Sequence, residues 1–133
     1  MILYNGESLA YIGDAIYEAR IREYILGSGY QDVNKLHKLA VKFTSGESQA
    51  KIVDYLLENN LLTEEEISYF KRGRNSHHGK NRRSISVISY KKATGFEAMI
   101  GFLYLSNNHD RLNELMKVII EIVEEGLIWQ EKA

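Results

Sequence analysis

The sequence predicts an all-α fold, with residues 1–133 forming one domain of about six to seven helices. Three observations support this prediction. Apolar residues recur at the three- and four-residue spacing of a helix face along most of the chain. Proline is absent, so no predicted helix is interrupted by a residue that lacks an N–H group. Thr44 with Glu47, and Thr63 with Glu66, have the spacing of capping boxes, which begin helices.

The first three helices are predicted from these signals in order. The first runs from about residue 7 to residue 26, where two glycines follow and end it. Asp32 is the expected N-cap of the second helix, which carries apolar residues at helical spacing. The third helix is predicted to begin with the capping box at Thr44 and to end at Asn59 and Asn60.

The second half of the chain predicts three more helices and one long loop. The fourth helix begins at Thr63 and runs to about Asn75, the fifth covers about residues 90–105, and Asp110 is the expected cap of the last. Residues 76–89 lack a helical stripe and are predicted as a loop. Its apolar residues near the end could form a short extended piece, although such a strand would have no partner.

Positive charge is concentrated in and around this loop. The net charge of the chain is only −1, yet residues 71–92 contain eight of its 17 Lys and Arg residues and no Asp or Glu. The basic residues are Lys71, Arg72, Arg74, Lys80, Arg82, Arg83, Lys91 and Lys92. Such a segment is either a solvated loop or a surface that binds a polyanion, and both interpretations stay open from charge alone.

The composition excludes several classes of protein. Cysteine is absent, which excludes disulfides, thiolate metal sites and cysteine nucleophiles and agrees with a cytoplasmic location. No secretory signal is evident at the N-terminus. No charge-free stretch approaches the roughly 20 residues of a membrane-spanning helix, so no membrane partner is expected.

Two carboxylates stand alone in apolar helices. Asp14 is the only charge in residues 9–17, and Glu97 is the only charge in residues 93–105. Both segments are apolar nearly all round, so both helices are predicted to be central and both carboxylates to need a partner. That partner is either a basic residue (Arg20, Arg22 or one from the basic loop) or a metal ion.

The metal alternative fits known chemistry. Two carboxylates from neighbouring helices can hold Mg²⁺ while water molecules complete its coordination. Such an ion lowers the pKa of a bound water and polarises a phosphate. A basic loop beside the pair would bind the phosphates of a nucleic acid. The acidic pair and the basic segment therefore support each other.

Three segments resemble the ribonuclease III family. LAYIGDAIYE (residues 9–18) resembles the signature helix of its nuclease domains, and TGFEAMIGFLYL (residues 94–105) resembles the second acidic helix. FKRGRN (residues 70–75) is similar to the matching segment of the short Mini-III branch. The chain ends at Ala133, which leaves no room for the separate double-stranded-RNA-binding domain of full-length relatives and points to that branch.

The resemblance implies a fold, an activity and a site. It implies a ribonuclease III endonuclease domain that acts as a homodimer, cleaves double-stranded RNA with Mg²⁺ (or Mn²⁺ in its place), and matures the 23S ribosomal RNA precursor. The products would carry 5′-phosphate and 3′-hydroxyl ends. Asp14 and Glu97 match the family's catalytic metal ligands, and Glu7 matches the first signature glutamate. Ala10 and Thr94 stand where relatives have acidic residues, so we expect one well-held Mg²⁺ and a second that is recruited only by RNA.

The expected RNA-binding surface follows from the same segments. Its residues are Arg72, Arg74, Asn75, Lys80, Arg82, Arg83 and Lys91. Two other functions remain possible from the sequence. The missing acids would suit a non-catalytic double-stranded-RNA-binding member of the fold, and the basic segment would suit a helical interaction protein with an acidic partner.

Overall fold

A computed structural model of the chain describes residues 4–76 and 85–130. Within these ranges the chain forms helices and no strand, which confirms the all-α prediction. The helices are α1 (Gly6–Leu26), α2 (Val33–Thr44), α3 (Gly46–Glu58), α4 (Glu64–Arg74), α5 (Val87–Leu105) and α6 (His109–Glu124), followed by a 3₁₀ turn (Leu127–Trp129). In the described part of the chain, no helix is long and apolar enough to cross a membrane.

Helix α5 is the centre of the fold, and helices α1, α3 and α4 all pack against it. Every residue from Ala93 to Leu103 is buried except Glu97, which is half-buried. The aromatic rings of Tyr17 and Phe96 meet edge to face at 4.9 Å in the core between α1 and α5. The prediction that the fifth helix is central is therefore confirmed.

Helix α1 is buried on one face only, so the prediction that it is central all round is wrong. Leu9, Tyr17 and Ile21 lie in the core, whereas 83% of Tyr11 is exposed and Asp14 is also exposed. The apolar character of α1 misled the prediction because Tyr11 faces outward together with small alanines. As a consequence, Asp14 does not need a buried partner in the single chain.

The two predicted capping boxes had different outcomes. The Thr63 box is confirmed, because the Thr63 N–H donates to Glu66 Oε1 at 2.9 Å and the Glu66 N–H donates to Thr63 Oγ1 at 3.1 Å. The Thr44 box is wrong. Helix α2 continues through Thr44, whose hydroxyl donates to the Ala40 carbonyl oxygen at 3.1 Å, and Ser45 caps α3 in its place.

Two other helix starts differ from the prediction. Helix α5 begins at Val87, three residues before the predicted start, because Ser86 caps it by accepting a hydrogen bond from the Ser89 N–H at 3.1 Å. The end of the predicted loop is therefore helical, and the short extended piece is wrong at Val87. The N-cap of α6 is Asn108, and Asp110 lies in the first turn of this helix. There the negative charge of Asp110 interacts favourably with the positive end of the helix dipole.

Candidate functional site

Helices α1 and α5 cross with their backbones in direct contact. A Cβ atom on Gly13 would lie 1.7 Å from the carbonyl oxygen of Glu97, and one on Gly101 would lie 2.0 Å from the carbonyl oxygen of Leu9. No side chain fits at either position, so glycine at both allows the two helices to approach this closely.

The crossing places the two backbone segments that carry the predicted carboxylates next to each other. Asp14 follows Gly13 in α1, and the Glu97 backbone is the part of α5 nearest to Gly13. Asp14 is exposed and Glu97 is half-buried, so the two residues differ in how far solvent reaches them. Residues 83 positions apart in the sequence therefore meet at one glycine contact.

The two arginines that were predicted as partners of Asp14 contact other residues. Arg22 pairs with Glu18 at 3.3 Å, and Arg20 donates a hydrogen bond to the side-chain oxygen of Asn113. Both arginines therefore contact residues other than Asp14. The salt-bridge interpretation of Asp14 thus loses these two candidates, and a partner from the basic loop stays a prediction.

The two positions that lack an acidic residue have packing roles. Ala10 is buried, and Thr94 is buried with its hydroxyl donating to the Tyr90 carbonyl oxygen at 3.0 Å. Among the described residues, no group of three or more His, Asp or Glu side chains is arranged to hold a metal ion. The candidate ligand set is therefore the pair of Asp14 and Glu97. Two carboxylates suit Mg²⁺, which takes one or two protein carboxylates and keeps several water molecules.

The end of α4 is held against the same two helices. A Cβ atom on Gly73 would lie 2.5 Å from the Cβ of Ala98, and one on Gly6 would lie 2.5 Å from the carbonyl oxygen of Arg72. Tyr69 packs on Phe102 while Gly73 meets the earlier part of α5, so the two helices run antiparallel. The end of α4 therefore points toward the first turns of α5.

Four of the predicted RNA-binding residues lie at this end of the fold. Arg72, Asn75 and Lys91 are exposed, and Arg74 is half-buried. The Arg74 guanidinium lies 5.5 Å from the centre of the Phe70 ring, and its Nε donates to Asn75 Oδ1 at 3.2 Å. Arg72 and Arg74 are two residues apart, which is roughly 200° around a helix, so they flank α4 on opposite sides.

The other predicted contacts lie outside the described residues. These are Lys80, Arg82 and Arg83. Their roles stay predictions.

Two ion pairs join helices that the sequence did not connect. Lys92 lies in the basic segment, yet its Nζ is 2.9 Å from Asp54 Oδ1 on α3, so it anchors the start of α5. Arg111 of α6 donates to both carboxylate oxygens of the buried Glu66, at 2.7 and 2.8 Å. Burial alone raises the pKa of Glu66, but the hydrogen bonds from Arg111 and Thr63, together with the charge of Arg111, outweigh it, so the pKa lies below its usual value. No sequence pattern indicated either pair.

Comparisons with known proteins agree on one family. The family described as Ribonuclease III domain matches residues 7–108. Mini-ribonuclease 3 of Acholeplasma laidlawii is 41% identical over 122 residues, which cover 92% of this chain and 96% of that protein. Mini-ribonuclease 3 of Clostridium tetani is 45% identical over 123 residues, covering 92% and 80%. A crystal structure of a protein from Fusobacterium nucleatum is 34% identical, with a TM-score of 0.78, and the match covers 89% of this chain and 93% of that one.

Proposed function

Since the chain belongs to the ribonuclease III family and to its Mini-ribonuclease 3 branch, we propose that it is a magnesium-dependent endoribonuclease that cleaves double-stranded RNA. The observation that supports this most directly is the glycine-held crossing of α1 and α5. It brings Asp14 and Glu97 together beside the arginine-bearing end of α4. Carboxylates that bind a metal and cations that bind phosphates are the two components that phosphodiester hydrolysis needs.

The two carboxylates hold the divalent ion in this proposal. When bound, such an ion lowers the pKa of a water molecule and stabilises charge on a phosphate. Glu97 is fixed because its neighbours along α5 are buried, whereas Asp14 is open to an approaching RNA backbone. The direct contact of α1 and α5 fixes the relative position of the two backbone segments that carry the carboxylates, and catalysis requires positioning of this kind.

The basic residues bind the RNA in the same proposal. A-form RNA is recognised mainly through its phosphates and 2′-hydroxyl groups. Arg72, Arg74, Asn75 and Lys91 surround the junction of α4 with α5, and Lys91 lies six residues from Glu97 on α5. That spacing corresponds to roughly 9 Å along the helix axis and roughly 240° around it, so Lys91 and Glu97 are close along α5 without sharing one face.

A homodimer is the proposed assembly. Tyr11 is the most exposed of the large apolar side chains in the described residues, at 83%, and it lies one turn before Asp14 on α1. Tyrosine is enriched at protein–protein interfaces, so Tyr11 marks the surface on which we place the partner. A second copy against this surface would give two catalytic centres, one for each strand of the duplex.

The proposed substrate is the 23S ribosomal RNA precursor in the bacterial cytoplasm, cut to leave 5′-phosphate and 3′-hydroxyl ends. The resemblance to the Mini-III branch supports this. The test is cleavage of a precursor stem by the wild type, by Asp14→Asn and by Glu97→Gln, each with and without Mg²⁺. Glu121→Gln is the matched control, because it removes an exposed helical carboxylate on α6.

We expect the wild type and the control to cleave only with the metal, and the two site variants to bind RNA without cutting it. Full activity of Asp14→Asn in Mg²⁺ would contradict the assignment. A second candidate function is a non-catalytic double-stranded-RNA-binding protein, which the packing roles of Ala10 and Thr94 favour. Binding of the stem by the wild type without cleavage in Mg²⁺ or Mn²⁺ would favour that function.

A further inference from the structure

The ring of Tyr69 has a different neighbour on each face. Its inner face stacks on Phe102 of α5, with the ring centres 3.7 Å apart and the planes 9° from parallel. The guanidinium carbon of Arg72 lies over the ring at 4.6 Å from its centre. Phe102 already covers one face at stacking distance, so Arg72 occupies the other. Phe102, Tyr69 and Arg72 therefore form a stack of three layers.

The stack connects an exposed cation to the core. Phe102 is 9% exposed and Tyr69 is 8% exposed, whereas Arg72 is exposed to solvent. The two rings are fixed between α4 and α5, so their positions do not depend on RNA. An arginine on a helix surface normally samples many rotamers, and a ring beneath its guanidinium restricts that freedom.

The stacked arrangement suits phosphate binding. A guanidinium over an aromatic face keeps its N–H groups at its edge, where they can donate to two oxygens of one phosphate. Arg111 is a contrasting case, because its N–H groups are used by Glu66, Glu114 and the carbonyl oxygen of Leu61. Arg72 is therefore oriented by a ring, whereas Arg111 is oriented by oxygen acceptors that already engage its donors.

We infer that Tyr69 is a positioning residue for RNA binding: stacked on Phe102, its ring holds the Arg72 guanidinium in place for a backbone phosphate of duplex RNA. The inference rests on the proposed function, and it adds a residue that does not itself touch the RNA. The ring face performs this role, and the hydroxyl group is not needed for it. Phenylalanine at position 69 should therefore replace tyrosine without loss.

A double-mutant cycle tests the inference on the full chain. The dissociation constant for a blunt RNA duplex is measured in Ca²⁺, which prevents cleavage from disturbing the binding, for the wild type, Tyr69→Leu, Arg72→Ala and the double variant. Tyr69→Phe is the conservative control, and Lys117→Ala controls for the loss of an exposed cation on α6. Circular dichroism and thermal melting show whether each variant is folded at the binding temperature.

We expect Tyr69→Leu to weaken binding about two- to fivefold, the factor that corresponds to an exposed cation–π contact. Tyr69→Phe should bind like the wild type. In the Arg72→Ala background, Tyr69→Leu should have no further effect, because the ring acts through Arg72. An equal loss in both backgrounds, or no loss in either, would overturn the inference.

Two further outcomes separate this inference from the proposed function. If the wild type fails to bind duplex RNA at low salt, the proposed function and the inference both fail. If the wild type binds and cleaves while Tyr69→Leu binds normally, only the inference fails. Should Tyr69→Leu not fold, phenylalanine with increasing ring fluorination at position 69 replaces it, since fluorine weakens the negative face of the ring while nearly keeping its shape. Affinity that falls with fluorination supports the inference, and constant affinity refutes it.

Discussion

Replacing Gly13 with alanine should disturb the candidate site without touching a carboxylate. The added Cβ would lie 1.7 Å from the carbonyl oxygen of Glu97. The Cβ is fixed to the backbone of α1 and the oxygen to the backbone of α5, so neither atom can rotate away. Since side-chain carbons do not approach other atoms much closer than 3 Å, α1 and α5 must separate by more than about 1 Å. That separation changes the distance between Asp14 and Glu97.

The expected magnitudes follow from this overlap. Overpacking of a core costs about 1–3 kcal/mol, and a clash with backbone belongs at the upper end. The better helix propensity of alanine returns up to about 1 kcal/mol, which leaves a net loss of about 2 kcal/mol. For a domain of this size, that loss lowers Tm by about 8 °C. A displacement of about 1 Å at a catalytic centre can reduce turnover about 100-fold.

The assay combines thermal melting with single-turnover cleavage of a duplex RNA in Mg²⁺. Gly27→Ala is the matched control, because Gly27 has φ −65° and its added Cβ would lie 3.3 Å from the nearest carbonyl oxygen. We expect the control to melt and cleave like the wild type. If Gly13→Ala also kept the wild-type Tm and cleavage rate, the direct helix contact would not be what positions the site.

Three other predictions concern stability, RNA binding and assembly. Arg111→Met should destabilise the fold by roughly 3 kcal/mol in urea unfolding at pH 7, because it leaves the buried Glu66 carboxylate without its partner. The pKa of Glu66 in the folded protein lies below its usual value of 4.5. The pair should therefore stabilise the wild type fully above about pH 4.5, and this stabilisation should be lost as the pH falls further. The stability of the variant should not show this loss. Arg72→Ala should reduce the slope of log K against log salt by roughly one in fluorescence anisotropy, and an unchanged slope would mean that Arg72 contacts no phosphate. Tyr11→Glu should shift the sedimentation mass from two chains to the 15.3 kDa of one, and a persisting dimer would place the interface elsewhere.

Local signals predicted the helices well. The order of six helices and the central position of α5 could be read from apolar spacing, because that pattern reports directly which residues are buried. Errors occurred where two local signals competed. Thr44 has the spacing of a cap, but helix α2 continues through it, and Ser45 is the N-cap of α3 instead.

The candidate site was predicted in part. Asp14 and Glu97 stood out as solitary charges, and the structure brings the backbone segments that carry them into contact. The basic segment was treated as one surface, whereas Arg72 and Arg74 flank α4 on opposite sides and Lys92 faces α3. Charge counts carry no information about direction around a helix, which explains the difference.

The sequence by itself determined the helical class and the family, and it singled out Asp14 and Glu97 as the candidate carboxylates. Each of these depends on residue types and spacings within one segment of chain. Only the tertiary structure decided that Asp14 is exposed, that Gly13 meets the backbone of Glu97, and that Tyr69 supports Arg72. These facts depend on which face of each helix is covered by another helix. Segments that are distant in the sequence determine this together, because burial is a property of the whole packed chain.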